Sequence, residues 1–267
     1  MAHSWVSFLV YNTRMSRQHP NTSWSKVSHW YSDLVGEGGH YFHSHLILPR
    51  VLKLLDLQPT DELVDLGCGE GVLERAIPKE VGYLGVDIAD GLLKAARQKV
   101  KATQHRFLQA NLTRKVDFPK QFTKAVSILA LQNMENGAQC IKNAAHALQT
   151  DGMLILVLNH PCFRIPRQTS WGIDEKNKLQ YRRVNRYFAE LKIPIQMHPG
   201  QHQQKQTWSF HHPLSQYFSW LKQSGFVVDD LQEWTSEKES QGKAAKMENR
   251  ARSEFPMFLC IVARKQK

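Results

Sequence analysis

Apolar residues along this chain fall into short continuous runs. Between the runs the spacing changes to threes and fours. Leu63 to Leu66, Val81 to Asp87, His105 to Leu108, Ala125 to Leu131 and Met153 to Leu158 read as strands, and Ala125 to Leu131 has the unbroken apolar run of a buried central strand. Helical spacing appears at Leu46, Ile47, Val51, Leu52, Leu54 and Leu55. It returns at Val72, Leu73, Ala76 and Ile77, at Leu92, Leu93 and Ala96, and from Ala138 to Leu148. Strand and helix patterns that alternate in this way predict an α/β fold with a mostly parallel sheet and helices on both faces. After residue 210 a helix opens at Pro213 and Leu214, runs through Tyr217, Phe218 and Leu221, and stops at Gly225. A strand from Phe226 to Leu231, a polar loop from Thr235 to Arg252 and a last strand from Phe255 to Val262 complete the pattern.

Three segments stand outside this alternation. Residues 1–24 read as an unstructured N-terminal extension. Trp5 to Tyr11 is apolar but short, no basic residue precedes it, and Arg14 and Arg17 follow it, which is the reverse of a secretory signal. Met15 is an alternative start. Residues 25–60 form a cap rich in aromatics and histidines, in which Tyr31 and Tyr41 are candidates for closing a pocket. His40, His43 and His45 raise the question of a metal, but no carboxylate cluster accompanies them and none is expected. Residues 161–206 are an insert. Leu179, Val184, Tyr187, Phe188 and Leu191 predict one face of an amphipathic helix, with Arg182, Arg183 and Arg186 between them.

Composition narrows the class. The chain has 267 residues, 42% hydrophobic and 22% charged, as in ordinary globular proteins. Cys68, Cys140, Cys162 and Cys260 are far apart and form no C-x-x-C pair, which argues against zinc and disulfides and for a reducing cytoplasm. No apolar run approaches the ~18 residues of a membrane span. The formal net charge is +11, and residues 161–206 alone hold nine Lys/Arg against three Asp/Glu. Such a surface suits nucleic acid, an anionic lipid or an acidic small molecule, or serves only as a solvated face.

Chemistry concentrates at Asp65-Leu66-Gly67-Cys68-Gly69-Glu70-Gly71, where the first strand meets a helical pattern. Glycines tolerate positive φ and let a ligand approach the backbone, and a helix N-terminus would add free N–H groups. Dinucleotide folds use G-x-G-x-x-G; here the third glycine, Gly71, comes one residue early and Val72 follows. Asp87 ends the second strand about twenty residues on, where nucleoside-binding α/β folds place a ribose ligand. The other reading of Asp87 is a helix N-cap, a place that Asp90 can fill.

The Asp65-x-Gly67-x-Gly69-x-Gly71 spacing resembles motif I of the class I S-adenosylmethionine (SAM)-dependent methyltransferases. From about residue 25 to 264 the chain resembles their type 11 branch. The resemblance implies a Rossmann-like seven-stranded sheet with its last strand antiparallel, SAM as cofactor, and methyl transfer. It places the amino end of SAM at Asp65, the glycine turn (Gly67, Cys68, Gly69, Gly71) around the methionine part, and Asp87 with Ile88 at the ribose. Asn111 and Leu112 would hold adenine, and Ala130, Leu131 and Gln132 would floor the methyl position. Asn111 stands where many members carry Asp, and it also fits an ordinary Asx turn. Members that methylate adenine or glutamine nitrogens carry Asn-Pro-Pro-Tyr where this chain has Leu131-Gln132-Asn133-Met134, which disfavours that chemistry.

His160 closes the fifth strand near the expected acceptor and is the candidate general base, or else a polar turn residue beside Pro161. Tyr31, Tyr41, Gln132 and His160 would line the acceptor pocket. The expected acceptor is a small molecule with an apolar ring, methylated on O, N or C. The alternatives are an RNA methyltransferase using the basic insert, and a SAM-binding partner protein without catalysis.

Overall fold

The computed structural model describes residues 41–100, 102–196 and 206–267. The N-terminal extension, most of the cap and Tyr31 lie outside the described residues. The strands are β1 (Glu62–Leu66), β2 (Gly82–Asp87), β3 (Arg106–Gln109), β4 (Phe122–Ile128), β5 (Leu148–Asn159), β6 (Thr169–Asp174), β7 (Leu179–Val184), β8 (Leu191–Gln196), β9 (Gln206–His211), β10 (Phe226–Trp234) and β11 (Phe258–Lys265). The α-helices are α1 (Leu48–Leu55), α2 (Asp90–Lys99), α3 (Gly137–Ala147), α4 (Leu214–Gln223) and α5 (Ala245–Glu254). A π-helical turn, His43–Ile47, leads into α1.

Seven strands form one sheet in the order β10-β11-β5-β4-β1-β2-β3. β1 to β5 are parallel, and β11 is antiparallel to both of its neighbours, β5 and β10. This is the expected Rossmann-like sheet with its last strand reversed. Side chains alternate across it as the pleat requires. Val64, Leu66, Ala125, Leu154 and Leu156 pack with Ile141 of α3 and Leu221 of α4. Leu63, Val126, Ile155 and Val157 pack on the other face with Val51 and Leu55 of α1. Asp65 shares that second row, so a carboxylate occupies a position where neighbouring strands supply apolar side chains. Burying a leucine or valine there stabilises by about 1.5–3 kcal/mol, and burying an acid costs free energy. The chain goes outward from β1 through β2 to β3, then returns to place β4 on the opposite side of β1. The crevice beyond the ends of β1 and β4 is therefore the topological switch point, where open α/β sheets bind ligands.

Three expectations need correction. No α-helix follows the glycine turn; only a 3₁₀ turn, Glu74–Ala76, forms there. Gly71 sits at φ +75, and Ile77, before Pro78, is extended at ψ 156, so at most one helical turn fits between them. Among its described residues the insert carries no amphipathic helix. It forms two antiparallel hairpins, β6–β7 and β8–β9. Trp171, Ile173, Leu179 and Tyr181 follow a period of two, and Asp174 closes the β6–β7 turn by accepting the Asn177 N–H and side-chain amide. The expected polar loop from Thr235 to Arg252 contains most of α5, of which only Ala251 is buried.

Candidate functional site

The turn after β1 is built by its glycines. Gly67, Gly69 and Gly71 all have positive φ, at +88, +55 and +75. A Cβ on Gly67 would lie 2.4 Å from the Cβ of Ala130, so the absence of a side chain lets the loops after β1 and β4 meet. Leu129, just past β4, is held at φ +52, a costly conformation for leucine. Its carbonyl accepts from the side-chain amides of Gln132 (3.0 Å) and Asn133 (3.1 Å), which fix it there.

The hydrogen bonds of this turn decide what it can bind. The N–H groups of Gly67 and Cys68 both donate to the Val86 carbonyl, at 2.7 and 3.1 Å. The Gly69 N–H donates to Asp87 Oδ2 at 2.9 Å and the Gly71 N–H to the Cys68 carbonyl at 3.0 Å. All four donors are committed, and no α-helix N-terminus supplies others. The glycine N–H groups expected to face a ligand are therefore spent on the protein itself, which weakens the turn as a pyrophosphate cradle.

The turn instead offers acids. Asp65 is 3% exposed, and its Oδ2 accepts the Tyr83 hydroxyl at 2.9 Å. Burial raises its carboxyl to about 7 against the opposing Tyr83 bond, and the nearby Asp87 charge adds to the rise. Burial also raises the Asp87 carboxyl, opposed by the N–H groups of Ala89, Gly69 and Ile88. Asp87 Oδ1 accepts the Ala89 N–H at 2.8 Å, so one carboxylate braces both the glycine turn and the start of α2. Asp90 is not the N-cap; it is the first residue of α2 and pairs with Lys94 at 2.8 Å. Each Asp87 oxygen keeps further acceptor capacity. A hollow of about 40 Å³, lined by Asp65, Gly67, Gly69, Val72, His43 and Ile128, opens at the turn. That is room for an ammonium-sized group.

Other expected residues sit differently. Cys68 is buried and its thiol is pushed well above its usual range, which makes it a packing residue. Ile88 is half-buried, and its carbonyl accepts the Gln109 side chain at 3.2 Å. The Asn111 side-chain oxygen already takes the Thr113 N–H (3.0 Å) and hydroxyl (2.7 Å), an Asx turn that leaves it nothing for an adenine amine. Leu112 and Leu131 have buried side chains packed in the α3 side of the core. Ala130 is half-buried beside Gly67. Gln132 is 8% exposed, and its Oε1 has no hydrogen-bond partner among the described residues. An unsatisfied buried acceptor is costly, and here it sits beside the crevice at the end of β4.

His160 has both ring nitrogens engaged. Nδ1 accepts the Cys162 N–H at 3.2 Å, which makes Nε2 the protonated nitrogen that donates to Glu233 at 2.6 Å. Its side chain is buried, and burial lowers its pKa against the Glu233 attraction. No nitrogen is left to accept a proton from a substrate, so the expected base is a latch between β5 and β10. Tyr41 stacks on His45 at 4.3 Å, and Lys238 lies 4.1 Å above its ring. The second hairpin packs on the segment that follows β4. Ser209 of β9 reaches the Gln132 carbonyl at 3.5 Å, and Lys192 of β8 pairs with Glu135 at 2.9 Å.

A larger cavity, about 410 Å³, lies beyond β5 between the first hairpin and α5. Nothing in the sequence pointed to it, because its walls come from residues 42, 163–182 and 236–257. Phe42 lines this cavity and the next residue, His43, lines the hollow at the glycine turn.

Comparison with known proteins agrees with this geometry. The Methyltransf_11 family model, a methyltransferase domain, matches residues 64–156. A solved putative S-adenosylmethionine-dependent methyltransferase from Listeria monocytogenes superposes with a TM-score of 0.64 and 26% identity, covering 82% of this chain and 98% of that one. Ribosomal RNA small subunit methyltransferase A of Dehalococcoides mccartyi is 37% identical over 68 residues, 25% of this chain and 23% of the relative. An uncharacterized methyltransferase of Schizosaccharomyces pombe is 26% identical over 110 residues, 39% of this chain and 42% of the relative. The chain thus spans less than half the length of these curated relatives. Among the described residues, no helix is long and apolar enough to cross a membrane.

Proposed function

We propose that this chain, which belongs to the class I SAM-dependent methyltransferases, transfers the methyl group of SAM to a small-molecule acceptor. The observation that carries the reading is the set of groups at the switch point: a buried acid, Asp65, a half-buried one, Asp87, and a turn whose glycine N–H groups are all occupied. Such a set suits a cation and repels a phosphate. SAM has both an ammonium and a sulfonium, whereas a dinucleotide brings a pyrophosphate.

The residues fit the cofactor. Asp65 faces the small hollow and would hold the ammonium, and a bound cation would relieve the burial of its carboxylate. Gly67, Gly69 and Gly71 let the methionine part lie against the backbone. Asp87 keeps acceptor sites for the ribose hydroxyls, with Ile88 beside them. Gln132 Oε1, unpartnered and nine-tenths buried, would take an N–H or O–H from a ligand. When bound, SAM supplies a methyl carbon activated by its sulfonium. The chain's task is to align the acceptor with that carbon and exclude water. Alignment alone supplies a large part of such a rate acceleration, so the engagement of His160 on both nitrogens is no obstacle. Residues 25–60 as cap and 161–206 as lid complete the proposed organisation.

An RNA acceptor is the second reading. It is favoured by the partial match to the ribosomal RNA methyltransferases and by the exposed Arg183 and Arg186 of the insert.

Calorimetric titration with SAM, S-adenosylhomocysteine and NAD tests the proposal. Micromolar binding of the first two and none of the third is expected. A folded chain that binds neither sulfur compound, or that prefers NAD, overturns it.

A further inference from the structure

The 410 Å³ cavity is cationic and aromatic at once. Arg164, Arg182, Lys238 and Arg252 line it against a single carboxylate, Glu248, which pairs with Arg252 at 3.8 Å. Among the described residues the other three have no carboxylate partner, and Lys238 lies over the Tyr41 and Phe42 rings. Arg164 is half-buried, lies over the Phe258 ring at 5.4 Å, and has no carboxylate within 4.0 Å among the described residues. Arg182 is spent on neutral partners. Its Nε donates to the Phe163 carbonyl and an Nη to the Thr169 hydroxyl, both at 2.8 Å, and it stacks on Trp171 at 4.9 Å. Burial, and then the neighbouring Arg182 charge, lower the pKa of Arg164. Two desolvated guanidinium groups side by side are unfavourable unless an anion joins them.

The remaining walls say what that anion is attached to. Phe255 packs edge-on against both Phe163 (5.6 Å) and Trp171 (5.4 Å), and Phe42 closes the side toward the glycine turn. Aromatic faces set beside a planar fork of donors suit a flat apolar body carrying an oxyanion. The volume falls within the range of small-molecule sites, and the space is a half-open cleft between the first hairpin and α5.

We propose that this cavity is the acceptor subsite and that the acceptor is a small, ring-bearing molecule whose oxyanion, a carboxylate or a phosphate, is held by Arg164. The proposal rests on the methyltransferase reading for the word acceptor. The binding itself does not, because the cavity can be titrated without cofactor. Arg182 is a positioning residue. It supports the Trp171 wall and adds positive potential.

The test uses the full chain and three probes: naphthoate, naphthyl phosphate and the neutral naphthalenemethanol. Calorimetry should show at least one anion binding tenfold or more tighter than the alcohol, and which anion wins distinguishes the two sources. Arg164→Met should abolish that difference and leave S-adenosylhomocysteine affinity unchanged, while Arg164→Lys should recover part of it. If Arg164→Met does not fold by circular dichroism, Lys238→Met on the opposite wall should weaken the preferred anion at least threefold. An alcohol bound as tightly as both anions, no anion bound below millimolar concentration, or anion affinity indifferent to these substitutions would overturn the proposal. So would tight binding of poly(U) that displaces naphthoate and falls steeply with salt, which would favour the nucleic-acid reading. Loss of SAM binding with anion binding retained would sink the methyltransferase reading alone.

Discussion

Replacing Asp65 with asparagine separates what the acid does for the fold from what it does for the ligand. In the folded chain its carboxyl titrates near 7, against 3.8 as its ordinary value, mainly because it is buried. The folded state therefore holds the proton more tightly than the unfolded state does. A raised pKa of this kind leaves stability intact at low pH and removes it as pH climbs from about 4 through about 7. Over that window the single group takes away at most about 4 kcal/mol. Asparagine has the same shape and keeps an oxygen for the Tyr83 hydroxyl, but its amide enters a buried site at a cost of about 1–3 kcal/mol. At about pH 8 the variant should still be more stable than the parent by about 1–3 kcal/mol, and near pH 5 it should be equal or less stable. Urea unfolding at both pH values reads this directly, and S-adenosylhomocysteine titration should show at least a tenfold loss of affinity. Parallel pH profiles for parent and variant would refute the reasoning about burial. Full ligand affinity in a variant with the altered profile would refute only the assignment to the ammonium.

Gly67→Ala should lower the melting temperature and weaken cofactor binding, since its methyl would sit 2.4 Å from that of Ala130 at φ +88; a cost of more than about 1 kcal/mol is expected, and an unchanged melt would remove Gly67 from the contact. His160→Gln should reduce stability by loosening β5 from β10 while leaving kcat within a few-fold on whatever acceptor is used; a loss of roughly 10²–10⁴ would restore it as a base. Asp87→Asn should weaken SAM at least tenfold with the fold retained, because one side-chain oxygen can still take a backbone N–H; an unchanged affinity, measured by calorimetry, would take the ribose elsewhere.

The sheet was legible because its strands are continuous apolar runs, a signal that depends on little beyond burial. The turn after β1 was legible because three alternate glycines follow an apolar run, and all three adopt positive φ. Other features were written in weaker signals. Pro78 announces that the pattern Val72 to Ile77 cannot run on as a helix, but the apolar spacing outweighed it. Leu179, Val184, Tyr187, Phe188 and Leu191 satisfy a helical period by coincidence. The alternation of Trp171 with Ile173, and of Leu179 with Tyr181, is the truer guide. α5 buries almost nothing and so left no apolar stripe. The roles expected for Asn111 and His160 failed on hydrogen-bond capacity, which depends on neighbours such as Thr113 and Glu233 that spacing cannot supply. The large cavity depends on three distant segments, and no local pattern encodes it.

Phe42 and His43 are consecutive residues at the start of one turn, and each is a wall of a different cavity. Phe42 is in turn seated edge-on against Phe258 at 5.7 Å. A shift of this turn would displace both walls. A ligand on the aromatic side that holds the turn in place would hold the acidic side as well, so the free energy of ordering that shared partition would be spent only once. The two ligands should then assist each other by one and the same factor, whichever arrives first.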